Sequence, residues 1–113
     1  MNTILLQKTY EVYRQVSVEI ASFPKFDRYS VGMKIDSASL GLIEAIITAE
    51  QAEPILKDRA LIEASVKNEV TKIFLRLALE RKLIKETNYF VWSGMLVEVG
   101  KMIGGWRKSL RAS

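Results

Sequence analysis

The amino-acid sequence predicts an all-α protein, an antiparallel up-down-up-down four-helix bundle formed by residues 1–113 as a single domain. The length of 113 residues fits one domain. Only two prolines and six glycines interrupt the chain, which argues against a turn-rich β-sandwich or barrel. Apolar residues recur at spacings of three and four in four segments, and short breaker-rich stretches separate these segments. Long helices joined by short loops must run antiparallel to their neighbours.

The first helix is predicted over residues 3–23 and the second from Asp27 to Gln51. The first helix ends before Pro24, because the proline ring biases the preceding residue away from helical geometry. Asp27 is the predicted N-cap of the second helix, with Ser30 as a second candidate. The core stripe of the first helix comprises Leu5, Val12, Val16, Ile20 and Phe23. An adjacent stripe comprises Leu6, Tyr10 and Tyr13. The stripe of the second helix, widened by three isoleucines, comprises Val31, Ile35, Ala38, Leu42, Ala45 and Ala49, with Ile43, Ile46 and Ile47.

The third helix is predicted from Asp58, its N-cap, to Leu83, and the fourth from Asn88 to Lys108. Ala52-Glu53-Pro54 separates the third helix from the second, and residues 85–88 form the last turn. The stripe of the third helix comprises Ile62, Val66, Val70, Ile73, Leu77 and Ile84. The stripe of the fourth helix comprises Trp92, Met95, Val99, Met102, Ile103 and Trp106.

The third helix is apolar around more than half of its circumference, because Phe74, Leu75 and Leu79 lie off its main stripe. A helix of a bundle needs only one apolar stripe. Either this helix is central and has several neighbours, or another subunit covers its second face. Every helix of a four-helix bundle has an outer face, so the sequence favours burial in a closed homo-oligomer.

The composition excludes several kinds of chemistry. The chain has no cysteine and no histidine, which removes disulfides, thiolate nucleophiles, His-dependent triads and the usual zinc sites. A ferritin-like di-metal site is not expected either, because such sites use Glu-x-x-His pairs, and metal binding by carboxylates alone would require acidic residues that cluster. We therefore expect no catalytic residue, no cofactor and no metal, and we do not expect an enzyme. The chain shows no membrane span and no signal peptide, so a cytoplasmic location without membrane contact is expected.

Glycines and aromatic residues are interpreted as structural. Gly100, Gly104 and Gly105 lack the ending and the preceding strand of a phosphate loop. They indicate either close helix packing or a frayed helix end, and close packing is favoured. Most aromatic residues fall on apolar stripes, which predicts core positions and not a platform for stacking bases. Trp106 continues the stripe of the fourth helix, and we expect its burial to contribute ~3–5 kcal/mol.

The charge is distributed unevenly along the chain. The formal net charge is +4. Residues 1–56 contain five basic and seven acidic residues, whereas residues 57–113 contain twelve basic and six acidic residues. Such asymmetry is typical of proteins that bind nucleic acid or another polyanion, although a basic face can also serve solubility alone.

The basic residues of the second half form two groups. Lys72 and Arg76 share one face of the third helix, within reach of Glu69 and Glu80. They form either a solvated face with local ion pairs or a pair of cations directed at a polyanion. Arg81, Lys82 and Lys85 follow at the helix end, and Arg107, Lys108 and Arg111 lie at the other terminus. If these residues bind a polyanion such as RNA or DNA, the contacts are expected mainly with its phosphates, with little sequence preference.

Three segments resemble a known family of small four-helix proteins. The turn Phe23-Pro24-Lys25-x-x-Arg28-Tyr29-Ser30-Val31-Gly32 is similar to its Pro-Lys-x-x-Arg-Tyr-x-Leu-Gly turn. The segment Phe74-Leu75-Arg76-Leu77-Ala78 is similar to its third helix. The ending Glu98-Val99-Gly100-Lys101-x-x-Gly104-Gly105-Trp106-x-Lys108 resembles that of the accessory variability determinant (Avd) proteins of diversity-generating retroelements. The turn is shared with related proteins encoded by intervening sequences of bacterial ribosomal RNA.

The resemblance implies a non-enzymatic bundle that assembles into a pentameric barrel with a basic surface. It implies binding to the reverse transcriptase of the element and to its template RNA, in support of error-prone cDNA synthesis that diversifies a target gene. It carries the binding role to Lys72 and Arg76 first, although arginine would suit bidentate phosphate contact better than Lys72. Two alternatives remain open: a bundle of the ribosomal-intervening-sequence type, and a self-assembling structural protein without nucleic-acid function.

Overall fold

The computed structural model describes residues 3–112 and confirms the predicted helices. The elements are α1 (Thr3–Ala21), α2 (Lys25–Asp27), a π-helical segment (Arg28–Gly32), α3 (Met33–Gln51), α4 (Pro54–Glu80) and α5 (Glu86–Ala112). Helix α2, the π-helical segment and α3 follow one another without a break, so they act as one long helix. Residues 3–112 contain no strand, and no helix in this range is long and apolar enough to cross a membrane.

The four long helices form a bundle in which each contacts two neighbours. Helix α1 packs against α3 and α5, and α4 also packs against α3 and α5, so α1 lies diagonally opposite α4 and α3 diagonally opposite α5. The bundle measures 47 × 23 × 19 Å. We call the end that carries α2, the last residues of α4 and the first residues of α5 the α2 end. An ion pair between Asp27 and Arg81 joins two of these elements.

The predicted stripes of the first two helices form the core. All five stripe residues of the first helix, including Phe23 just beyond α1, are buried, and so are the six main stripe residues of the second. In α5, Trp92, Val99 and Ile103 are buried, whereas Met95, Met102 and Trp106 are only partly buried against the core.

The stripe predicted for the third helix does not face the core of the bundle. Ile62, Val66 and Ile73 are 44%, 55% and 59% exposed. The side of α4 that faces the bundle comprises instead Ala60, Leu61, Ala64, Asn68, Thr71, Leu75 and Ala78. Small residues on this side, opposite the alanines of α3, allow the two helices to approach closely. Two of these residues are polar and donate hydrogen bonds, Asn68 Nδ2 to the Leu96 carbonyl (3.0 Å) and Thr71 Oγ1 to the Lys67 carbonyl (2.8 Å). The other polar atom of the Asn68 side chain, Oδ1, is buried without a hydrogen-bond partner in the described part of the chain.

Both predicted N-caps are also wrong. Helix α4 begins at Pro54, since a proline is well suited to the first position of a helix. Asp58 therefore lies inside α4 and accepts hydrogen bonds from Arg107. Asp27 lies inside the helical segment that begins after Pro24, and its carboxylate accepts a hydrogen bond from Arg81. Ile84, assigned to the stripe of the third helix, is buried in the connection between α4 and α5.

Close packing explains only some of the glycines. Gly32 is buried, and a Cβ atom there would lie 2.9 Å from Ile20 Cγ2 and 3.2 Å from the Asp27 carbonyl oxygen. A Cβ at Gly100 would lie 3.2 Å from Asn68 Nδ2. Gly104 and Gly105 are exposed with nothing within 4 Å, and α5 continues past them to Ala112. Both predicted explanations, close packing within the bundle and a frayed helix end, are therefore wrong for Gly104 and Gly105.

We expect Gly32→Ala to destabilise the fold by about 1–3 kcal/mol, because the new methyl group must displace Ile20 or the backbone at Asp27. Gly94→Ala is the matched control: Gly94 lies inside α5 with nothing within 4 Å, so alanine should stabilise the helix by about 0.5–1 kcal/mol. Urea unfolding of both variants measures the difference. A change of the same sign in the free energy of unfolding of both variants would contradict a close approach at Gly32.

Candidate nucleic-acid interface

The predicted basic residues lie at opposite ends of the bundle. Arg81, Lys82 and Lys85 are at the α2 end, and Lys72 and Arg76 lie on the part of α4 that leads to it. The second group, at the other end, comprises Arg107, Lys108 and Arg111. About 30 Å of α5 separates the two groups at a rise of 1.5 Å per residue. One chain therefore offers two distinct basic surfaces.

Lys72 and Arg76 both take part in local ion pairs. Lys72 Nζ lies 3.2 Å from Glu69 Oε1, and Arg76 Nε lies 3.4 Å from Glu80 Oε2. Pairs of this kind at a protein surface contribute only ~0–1 kcal/mol each. A phosphate group that approaches the helix can replace these carboxylates at little cost, so the ion pairs are compatible with binding.

The end of α4 is a Schellman motif. The Leu83 amide donates to the Ala78 carbonyl (2.9 Å), and the Lys82 amide donates to the Leu79 carbonyl (2.9 Å). Lys82 has φ of 60°, the left-handed conformation that glycine adopts at this position without a steric penalty. Its side chain is exposed, as is that of Lys85, and neither lysine has an ion pair within the described part of the chain.

Arg107 differs from its neighbours in the C-terminal group. Its Nε donates a 2.8 Å hydrogen bond to Asp58 Oδ1, and this bond lowers the pKa of Asp58. The contact fastens the end of α5 to the start of α4, which gives Arg107 a structural role. Lys108 and Arg111 remain exposed and are the better candidates for binding at this end.

The structure adds three cations to the α2 end. Lys25, Arg28 and Lys34 belong to the turn and to the start of α3, and the ion pair between Asp27 and Arg81 brings this turn against the end of α4. Pro24 is the N-cap of α2, and the Arg28 guanidinium lies 5.4 Å from the centre of the Tyr29 ring. The sequence held a signal for this surface, since basic and aromatic residues alternate closely after Pro24.

The prediction that most aromatic residues lie in the core is wrong for four of them. Phe26 and Tyr29 in the turn are 74% and 64% exposed. Tyr10 on α1 and Phe90 on α5 are also exposed. Phe23 and Trp92 are buried as predicted. Of these four residues only Tyr10 belongs to a predicted stripe, the one adjacent to the core stripe of the first helix, whereas Phe26, Tyr29 and Phe90 lie on none.

Two apolar surfaces run along the sides of the bundle. The α4 ridge comprises Ile55, Ile62, Val66 and Ile73, which point away from the core. The α1–α3 groove, about 300 Å³ in volume, is lined by Leu6, Gln7, Tyr10, Ile43 and Ile47. Within residues 3–112, no group of three or more acidic side chains is placed to hold a metal ion.

These observations define a small helical bundle that carries its distinctive features on its surface: basic residues at both ends and an uncovered apolar ridge between them. The chain belongs to the bAvd-like family, whose match covers residues 3–110. The match confirms the resemblance to Avd proteins, which are accessory and not catalytic proteins. No curated protein matches the chain.

Proposed function

We propose that this chain is a non-enzymatic accessory protein of a diversity-generating retroelement. It binds the reverse transcriptase of the element together with template RNA or cDNA, and it supports the mutagenic reverse transcription that diversifies a target gene. The observation that carries this proposal is the family match over residues 3–110. The exposed cations of the α2 end support it, because such side chains bind phosphates without regard to sequence.

The binding assembly is proposed to be a homo-oligomer, with the number five supplied by the family resemblance. The α4 ridge exposes four large β-branched side chains that point directly away from the core. Contiguous apolar surface of this kind marks an interaction site. The ridge and the α1–α3 groove lie on different sides of one chain, so a ridge that enters the groove of the next subunit makes a head-to-tail contact, which forms a ring when the rotation between subunits closes.

The binding surface can be tested with two charge-matched double variants. We expect Lys72→Ala with Arg76→Ala to weaken binding to RNA and DNA and to the reverse transcriptase, while the oligomer stays intact. The slope of log K against log salt should become shallower by about 0.7–0.9 for each phosphate that the variant no longer neutralises. Lys108→Ala with Arg111→Ala removes the same charge from the opposite end. Fluorescence anisotropy with a labelled RNA at two salt concentrations measures both variants.

The affinities of the two double variants show which basic group forms the binding surface. Affinity equal to that of the wild type in the first variant and reduced affinity in the second would move the binding surface to the C-terminal group. A wild-type protein that binds neither RNA nor DNA at low salt would contradict the proposed function. It would favour the second candidate, a self-assembling structural protein, for which the α4 ridge is the supporting observation.

A further inference from the structure

The turn at the α2 end presents aromatic and apolar side chains to solvent. Phe26 and Tyr29 are largely exposed, and Met33 one turn later is exposed as well. A shallow groove of about 310 Å³ lies beside them, lined by Tyr29, Ser30, Met33, Lys34 and Ser37. Its volume is at the lower limit of typical ligand sites. The backbone beneath is fixed, since the Ser30 hydroxyl donates to the Phe26 carbonyl (2.8 Å) and buried Gly32 packs against α1.

Unpaired cations surround this aromatic pair. Lys25, Arg28 and Lys34 have no ion pair within the described part of the chain. The acidic residue of the turn, Asp27, is already neutralised by Arg81, with Arg81 Nη1 3.2 Å from its Oδ1. The turn therefore has a surplus of positive charge next to exposed ring faces.

Lys82, next in sequence to Arg81, is a second and independent observation. It occupies a left-handed position that strongly favours glycine, where a side chain is conformationally unfavourable. Strained residues of this kind are found preferentially at functional sites. A lysine at this position brings one more cation to the α2 end than the fold itself requires.

The combination fits single-stranded nucleic acid. Bases of a single strand are free to stack on exposed aromatic rings while nearby cations contact the phosphates. Bases of a duplex are already stacked on one another, so they are not available to stack on exposed rings. An acidic protein surface would use the cations but would not need aromatic faces.

We propose that Phe26 and Tyr29, with Lys25, Arg28 and Lys34 beside them and Lys82 at the same end of the bundle, form a platform on which bases of single-stranded RNA or cDNA stack. This inference rests on the proposed function, since it assigns a ligand state and a site to the nucleic acid bound by the assembly.

The test compares a labelled 12-nucleotide single strand with a 12-base-pair duplex in fluorescence anisotropy, using the full-length oligomer. We expect Phe26→Ala with Tyr29→Ala to weaken single-strand binding about tenfold or more. Duplex binding should change by less than about twofold, and the salt slope should stay unchanged because no cation is removed. Phe90→Ala is the matched control: Phe90 is equally exposed and also lies at the α2 end, but on α5, diagonally opposite α3 and outside the proposed platform, so its loss should leave both affinities unchanged.

A second variant, Phe26→Leu with Tyr29→Leu, keeps the apolar surface and removes the rings. Loss of single-strand binding in the leucine variant supports stacking, whereas full retention overturns the platform and assigns the patch to apolar contact with a protein. Equal losses of single-strand and duplex binding in the alanine variant overturn it too, and light scattering then shows whether the assembly has dissociated. Failure of the wild type to bind either ligand contradicts the proposed function itself, whereas wild-type binding that both aromatic variants retain overturns only the platform.

Discussion

Replacing Ile62 and Ile73 with glutamate is expected to convert the proposed homo-oligomer into a 12.9 kDa monomer. Both side chains lie on the outward α4 ridge, 44% and 59% exposed in the single chain. Each buried isoleucine contributes about 1.5–3 kcal/mol to an interface, and a glutamate in its place adds the penalty of an unpaired buried charge. A loss of several kcal/mol at each interface weakens association by at least about a thousandfold. Light scattering with in-line chromatography measures the mass.

The controls separate the interface from the fold. Val18→Glu introduces one glutamate, half the added charge of the double variant, at an exposed valine of α1 outside the α1–α3 groove, and the assembly should persist. The circular dichroism of the double variant should remain helical, since neither isoleucine belongs to the core. A double variant that keeps the mass of the wild type would show that the ridge is not an interface.

Mixing experiments then report the geometry of the interface. Tyr10→Glu with Ile47→Glu should also give a monomer, because both residues line the α1–α3 groove. The ridge variant (Ile62→Glu with Ile73→Glu) keeps an intact groove, and the groove variant (Tyr10→Glu with Ile47→Glu) keeps an intact ridge. A head-to-tail interface therefore predicts a species of two chains and no larger assembly. A ridge that packs against another ridge predicts no association between the two variants.

The second large effect is expected for Trp92→Ala, which should destabilise the fold by about 3–5 kcal/mol and lower Tm by more than about 10 °C. Trp92 is 2% exposed, and its indole Nε1 donates a 2.8 Å hydrogen bond to Gln15 Oε1. Gln15 in turn donates to Glu11, whose pKa falls to about 2 mainly through the hydrogen bond from Arg14. Loss of the indole leaves a cavity between α1 and α5 and removes the hydrogen-bond donor of Gln15 Oε1.

Trp106→Ala is the informative comparison. The sequence predicted a loss of ~3–5 kcal/mol for this residue as well. In the structure Trp106 is only partly buried at the edge of the core, so we expect at most about half of the loss seen for Trp92. Thermal unfolding by circular dichroism measures both variants, and Trp92→Phe, which removes the hydrogen bond and part of the ring volume, should cost at least about 1–2 kcal/mol. Equal losses for the two alanine variants would contradict the different burial of the two indoles.

The outcome at α4 shows what a helical pattern can predict. The sequence placed an apolar stripe through Ile62, Val66 and Ile73, and that stripe exists. Periodicity reports that a face is apolar but carries no information on which neighbour covers it. The face that packs inside the bundle is the one whose alanines allow the closest approach to α3, a property of the helix pair and not of α4 alone.

The same limit applies to the basic residues. The sequence identified Lys72, Arg76 and the residues at the two helix ends, but the pattern along the chain could not show that α4 and α5 carry them to opposite ends of the bundle. Nor could it show that Asp58 holds Arg107, because 49 residues separate the pair in sequence. The cations of the turn after Pro24 join Arg81 and Lys82 only through the tertiary ion pair at Asp27.

By itself the sequence determined the number of helices, the core faces of α1 and α3, the absence of cysteine and histidine chemistry, and the family. All of these depend on local spacing or on residue type, which are read directly along the chain. The tertiary structure decided which face of α4 is covered, that Phe26 and Tyr29 are exposed, and that the basic residues form two separate surfaces. Burial and proximity are set by pairs of helices that meet across long stretches of sequence, so no single helix contains that information.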